Sequence, residues 1–355
     1  MKIGVLAGSR FPIREPFAGG LEAHVWSLVR GLRRRGHCVA LFAGPGSDPS
    51  LEATQLNVRR LRLSRSARAD LSMGPREQLE EHHAYLQLML NLSGCPEGTY
   101  DVLHNHSLHY LPIAMAPALP MPLLTTLHTP PTPWLESAIQ VQEACPVTFA
   151  AVSAHTATAW SHLVPEARVV HNGVDLEQWT PGAGGEALVW FGRIAPEKGT
   201  HLALEAARRA KCALRVAGPI VDRSYFAQAV RPLLGGDIHY VGHLTQGQLV
   251  RLVGGSRAAV VTPCWDEPYG LVVAEALACG TPICGFARGA VPELIDHSCA
   301  RLVPAGDVQA LADAVGDAGA LSRSAARQRA AQNCSLDRMV DAYTALYAEL
   351  SEVAA

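Results

Sequence analysis

No stretch of this 355-residue chain approaches the ~18 consecutive apolar residues that a membrane-crossing helix needs, so no span is expected. An excess of one charge is also missing: 30 Lys and Arg face 32 Asp and Glu, a formal net charge of -2. That balance excludes a protein-wide field for nucleic acid or an anionic membrane and leaves only local patches. The nine cysteines are an odd number and include no CxxC pair. Reduced thiols in a cytoplasm are therefore expected, not a disulfide frame, with Cys284 as a small core hydrophobe. Residues 1–7 lack the h-region and cleavage site of a secretory signal and read as a strand. No GxGxxG follows a strand and opens a helix, which disfavours a nicotinamide dehydrogenase.

What is present is material for two cores. The chain is 48% hydrophobic and 17% charged, and it is too long for one ordinary domain. Short apolar runs alternate with helical stretches, the mark of α/β folds with parallel sheets and crossover helices. In the first half, strands are predicted at 3–6, 38–42, 56–63, 102–104, 123–127 and 149–152, with helices at 21–35 and 77–92. In the first of these helices Val25, Leu28, Val29 and Leu32 share one face, Arg33 to Arg35 fill the last turn, and Gly36 stops it. The cycle restarts after His171, with strands at 187–191, 213–217, 238–241, 258–262, 282–285 and 300–303. A turn-rich stretch near 170–185 predicts the hinge. The expected division is a first domain over 1–172, a second over 173–336, and a terminal helix, 337–355, packing back toward the first. Two facing α/β domains leave a cleft at the carboxyl ends of their strands, where such sheets bind ligands.

Two segments carry chemistry. Glu267-Pro268-Tyr269-Gly270 leads into an apolar helix ending at Gly280, and Glu275 is the one carboxylate inside that helix. An exposed stripe or an internal ion pair would explain Glu275. A helix start set against a phosphate, with Glu275 accepting bonds from a ribose diol, explains it as well. Upstream, Phe191-Gly192-Arg193 and Lys198-Gly199-Thr200 flank a loop between a strand and a helix. Arg193 and Lys198 are either ordinary surface cations or the groups that take up charge on a departing nucleoside diphosphate.

Together these segments resemble the retaining GT-B glycosyltransferases of family 4, glycosyl transferases group 1. The family's Glu-x7-Glu motif is matched by Glu267 and Glu275, and its Gly-Arg…Lys-Gly loop by Gly192-Arg193 and Lys198-Gly199. Gly19-Gly20-Leu21-Glu22, Gly36-His37 and Asn172-Gly173-Val174-Asp175 match further family features, so the likeness spans nearly the whole chain.

The resemblance implies a GT-B fold of two facing Rossmann-like domains, the first on the acceptor side and the second binding the nucleotide sugar. It also implies transfer of a hexose-type sugar from a nucleoside diphosphate donor, UDP before GDP, to a hydroxyl acceptor: a small natural product, a glycan or a lipid. Arg193 and Lys198 would grip the diphosphate. Glu275 would bind ribose, and Glu267 would sit near the sugar with the backbone of Tyr269, Gly270 and Leu271. Val241, Gly242 and Leu244 would lie by the nucleobase, and Gly19 and Gly20 would close onto the donor. The mechanism implied is same-face substitution with no metal and no cofactor. A catalytically silent nucleotide-sugar-binding protein, or an epimerase or hydrolase of the same fold, stands as the alternative.

Histidines and a basic run complete the inventory. His128 ends a strand and is expected to reach the donor sugar, with a structural histidine as the plain alternative. His104, His106 and His109 also end a strand, and they are candidates for acceptor hydrogen bonding or plain loop histidines. No metal site is expected, because no His or Cys pair at metal spacing completes that cluster. Arg59, Arg60, Arg62, Arg65, Arg68 and Arg76 form a locally basic run. It is a solvated loop, or a contact for an anionic acceptor or lipid headgroup. Nucleic acid is not expected, since no stacking aromatics are interleaved.

Overall fold

Strands buried on both faces read as continuous apolar runs, and that is what the first strand does: in β1 (Lys2–Leu6) every residue after Lys2 is buried. The computed structural model describes residues 1–72, 74–142 and 145–354. Alongside β1 lie β2 (Cys38–Ala43), β3 (Thr54–Gln55), β4 (Val102–Asn105), β5 (Leu123–Leu127), β6 (Val147–Ala151) and β7 (Arg168–Val169). They form a seven-stranded sheet in the order β3-β2-β1-β4-β5-β6-β7. All its pairings are parallel; Lys2 opposes Cys38 and Leu6 opposes Phe42, while Ile3 opposes Val102.

The second sheet repeats the plan with β8 (Leu188–Phe191), β9 (Leu214–Ala217), β10 (Ile238–Gly242), β11 (Ala259–Val261), β12 (Ile283–Phe286) and β13 (Ala300–Val303). Its order is β10-β9-β8-β11-β12-β13, again parallel. In both sheets the order reverses beside the first strand, between β1 and β4 and between β8 and β11. Connections leave in opposite directions there and open a crevice at the carboxyl ends.

Two sequence expectations need correcting. Residues 56–63 are not a strand; β3 ends at Gln55. Helix side chains satisfy the backbone beyond it instead: Leu61 N donates to Glu80 Oε1 at 2.7 Å, and the Arg76 guanidinium donates to Leu61 O. With those groups occupied, no ladder is needed. Strand β7 escaped notice because it is two exposed residues long, with no apolar run to read. Arg59, Arg60, Arg62, Arg65 and Arg68 are exposed, whereas Arg76 is half-buried and paired with Glu80 at 2.7 Å.

The chain passes between the sheets twice, and both passages meet at one point. Val174 N donates to Cys334 O at 2.8 Å, and Leu336 N donates to Val174 O at 2.9 Å. Gly173 lies so close to this junction that a Cβ on it would come within 2.6 Å of Leu336 Cα and 2.7 Å of Ser335 O. Gly173→Ala is therefore expected to destabilise the protein by roughly 1–3 kcal/mol, seen as a lower Tm in calorimetry. The helix Leu336–Ala354 follows at once and packs on the first sheet's helix Gly20–Arg34, burying Val340, Tyr343 and Tyr347 with Val25, Leu28 and Leu32. Among the described residues, no helix is long and apolar enough to cross a membrane.

Candidate active site

The cleft between the sheets holds a cavity of ≈ 530 Å³, lined by loops that follow β1, β4, β5 and β6 on one side and β8, β9, β10 and β11 on the other. That size suits a small-molecule ligand. The walls touch above it: His243 shares a hydrogen bond with Phe17 O at 2.9 Å, and Gln246 N donates to Glu15 Oε2 at 3.0 Å. On the β6 side Glu293 accepts from Ala154 N and His155 N at the start of the helix Ala154–Trp160. A carboxylate at a helix N-terminus is favoured by orphan amides and dipole together.

On the second-domain wall, the helix Leu271–Ala278 begins at Gly270, whose φ of +92° suits glycine and few other residues. This turn aims the helix start into the cavity, with Tyr269, Gly270 and Leu271 in its lining. One turn in stands Glu275, 8% exposed. Among the described residues its carboxylate has neither an ion pair nor a hydrogen bond, and it borders the cavity. Burial pushes its pKa up to about 8. The exposed-stripe and ion-pair explanations of Glu275 thus do not describe this structure.

Beside it on the same wall lies the loop after β8. Lys198 Nζ pairs with Glu267 Oε2 at 2.6 Å. Trp265 Nε1 donates to the same oxygen at 3.0 Å, and the ammonium sits 5.0 Å from the Trp265 ring centroid. Lys198 and Glu267 are each mostly buried, so their pairing is less screened than one on the surface. Arg193 lines the cavity; it is 37% exposed, and its guanidinium lies 3.4 Å from Glu197. Gly19 and Gly20, which open the first helix, pack against Arg193 and Leu271 respectively. Glu22 is buried beside Arg193; desolvation raises its carboxyl pKa, and the Arg193 charge pulls the other way.

Two family models divide the chain between them. Glycosyltransferase Family 4 matches residues 18–178, and Glycosyl transferases group 1 matches residues 177–334. The chain belongs to glycosyltransferase family 4. It is a GT-B glycosyltransferase. Its relatives include a glycogen synthase of Mycobacterium tuberculosis, 26% identical over 88% of this chain and 86% of the relative. A D-inositol 3-phosphate glycosyltransferase of Mycobacterium avium is 28% identical over 98% of this chain and 93% of its own. Among solved structures, Anabaena HepE in complex with UDP and glucose aligns over 99% of this chain and all of its own, with a TM-score of 0.76 at 19% identity. Sucrose-phosphate synthase of Thermosynechococcus elongatus aligns over 99% of both chains with a TM-score of 0.77 at 19% identity.

In this family-4 glycosyltransferase the cavity gathers most residues singled out from the sequence: Gly19, Gly20, His109, His128, Gly192, Arg193, Lys198, Leu244, Glu267, Tyr269, Gly270, Leu271 and Glu275. Four are elsewhere. Val241 and Gly242 are not in the wall; they end the edge strand β10, and the chain turns before His243 and Leu244 reach the cavity. His104 and His106 are fully buried, so neither stands at the cleft surface where an acceptor would meet it. His104 is inside β4, capped by Tyr347 at 2.6 Å and Thr126 at 2.7 Å. His106 lies behind His128, its Nδ1 sharing a hydrogen bond with His128 Nε2 at 2.9 Å. Burial drives the pKa of all three well below the usual histidine range, which keeps them neutral.

His109 does reach the wall, stacked on Tyr85 at 4.5 Å between ring centroids. Burial and His82 lower its pKa to about 4. Sequence reasoning missed Trp265 and His24. The signal for His24 was available: it lies one helical turn beyond Gly20 and so faces the same way. Trp265 sits in a loop with no periodicity, and its role appears only in the contact with Lys198.

Proposed function

We propose that this glycosyltransferase moves a hexose-type sugar from a nucleoside diphosphate donor, UDP before GDP, to a hydroxyl acceptor with retention of configuration and without a metal. The observation that carries this reading is one cavity wall holding Lys198, Arg193, a helix start at Gly270 and Glu275, which has no partner among the described residues. Cations and a helix start suit a diphosphate, and a buried carboxylate lacking a partner suits a diol. The UDP and glucose named for the HepE complex support the choice of donor.

In the reaction, Arg193 and Lys198 take up the charge that grows on the diphosphate as the sugar bond breaks. The departing phosphate oxygen accepts the acceptor's proton on the same face of the sugar, so no separate general base is needed. Glu267 orients Lys198 and accepts from the sugar. His128, neutral, stands at the first-domain side of the cavity and meets the sugar there. The acceptor enters between the loops after β1 and β4, where Arg10, Phe11, Leu108 and His109 line the wall. Phe11 and Leu108 are exposed apolar side chains, which suits an acceptor with an apolar or ring face. The nine unpaired thiols support a reducing, cytoplasmic setting.

The test is a transfer assay with UDP-glucose and GDP-mannose against a panel of alcohols and glycans, read by mass spectrometry. Sugar on an acceptor hydroxyl, with the anomeric configuration of the donor, is expected. Turnover of donor to an epimer or to free sugar without acceptor would overturn the transferase reading, and inversion would overturn the mechanism. Chelation with EDTA is expected to leave the rate undiminished; a rate lost on chelation and restored by Mg2+ would overturn metal independence.

A further inference from the structure

We propose that His24, His106 and His128 form a site for a first-row divalent cation of the Zn2+ type, set in the first-domain wall of the cleft. The residues come from three separate places: the helix Gly20–Arg34, the end of β4 and the end of β5. Their ligand atoms all lie within 4.8 Å of one another. His106 Nδ1 and His128 Nε2 are already 2.9 Å apart. Two nitrogens on a tetrahedral zinc, each at about 2.0–2.1 Å from the ion, stand roughly 3.3 Å apart.

His24 is the member that must move, and no hydrogen bond among the described residues holds it. Both of its ring nitrogens are buried without a hydrogen-bond partner among the described residues. Such groups are normally satisfied, so an orphaned imidazole facing two others points to an absent ligand.

The surroundings also admit the tautomer that a metal ligand needs. Tyr347 OH lies 2.6 Å from His104 Nδ1, His106 Nε2 is 3.1 Å from the same atom, and His104 Nε2 is 2.7 Å from Thr126 Oγ1. In the assignment that fits a metal, Tyr347 OH and His106 Nε2 share the one lone pair of His104 Nδ1 as a three-centre hydrogen bond, and His104 Nε2 donates to Thr126 Oγ1. That leaves His106 Nδ1 with its lone pair toward the cluster, the outer-shell arrangement that orients a metal-bound histidine. The ion takes the place of the proton shared between His106 and His128. Its fourth position faces the cavity that His24 and His128 line, where water or a hydroxyl can enter. Three neutral imidazoles suit Zn2+, Co2+ or Ni2+; with no carboxylate in the set, Mg2+ and Ca2+ are excluded. An ion held here would occupy His128, so Zn2+ would inhibit sugar transfer; that consequence alone rests on the transferase reading.

The test uses the full chain, stripped of metal and titrated with Co2+ and Zn2+ under reducing conditions. One equivalent per chain and the visible absorption of four-coordinate Co2+ are expected, with Mg2+ giving neither. His24→Gln and His128→Gln should each weaken binding at least tenfold, while Cys38→Ser, which removes the exposed thiol, should not. Binding lost with Cys38→Ser and kept in the histidine variants would overturn the proposal. Wild-type crystals soaked in Co2+ provide a check that needs no variant: an anomalous peak among the three rings supports the site, and its absence or placement elsewhere overturns it. None of these readouts involves sugar transfer, so they stand or fall separately from the assigned reaction.

Discussion

Lys198→Ala is expected to lower kcat by about 10²–10³-fold, the loss typical of removing one preorganised group from developing negative charge. The ammonium is fixed from two sides, by Glu267 at 2.6 Å and by the Trp265 ring at 5.0 Å. It is therefore already positioned when the diphosphate starts to leave, and no reorganisation is needed at that moment. Truncation also leaves Glu267 as an unbalanced carboxylate facing an anionic leaving group. The ground-state diphosphate carries charge too, so UDP affinity should fall, but by less than kcat does. Steady-state kinetics beside calorimetric titration of UDP separates the two effects. A variant with weaker UDP binding and an unchanged kcat would restrict Lys198 to holding the donor.

Glu275→Gln is expected to act in opposite directions on binding and on stability. The folded-state pKa of Glu275 is about 8, above the ordinary carboxylate value of 4.5, because burial disfavours the charged form. The folded protein therefore holds a proton that the unfolded chain has already released. Stability falls as pH rises from about 4.5 toward 8, and the full penalty is present above 8. Glutamine removes it. The variant should melt with the wild type near pH 4.5 and be more stable by about 2–4 kcal/mol above pH 8, as urea denaturation at the two pH values will show. The same change removes the carboxylate proposed to accept from the ribose, and UDP affinity should drop roughly tenfold or more. Equal stability at both pH values would mean that Glu275 is solvated in the folded protein. Undiminished UDP affinity would remove it from the donor site. A residue that destabilises its fold and tightens a ligand is what a functional carboxylate in a buried helix predicts.

The parts of this architecture legible in the sequence are those with local causes. The apolar runs of β1, β5 and β8 and the apolar stripe of the helix Gly20–Arg34 each stand out against polar neighbours. The segment 56–63 misled because hydrophobic and basic residues alternate there in a strand-like way; the helix Arg76–Ser93 supplies partners for its backbone instead. His104 and His106 suggest acceptor contacts or plain loop histidines in the sequence because they close a strand, yet both are fully buried. What covers them is Tyr343 and Tyr347, more than 200 residues away in the chain.

Two α/β halves, the loops that bear Arg193, Lys198, Glu267 and Glu275, and the family to which they point are written in the chain itself, because strand and helix periodicity and glycine-marked turns act over a few residues. Which of those side chains share a cavity, that Glu275 has no partner among the described residues, and that His24 meets His106 and His128 follow from the folded chain alone. Burial, pairing and the cost of an unsatisfied polar atom depend on what lies across the cleft or under the sheet, and in a parallel α/β fold those neighbours come from segments far apart in the chain.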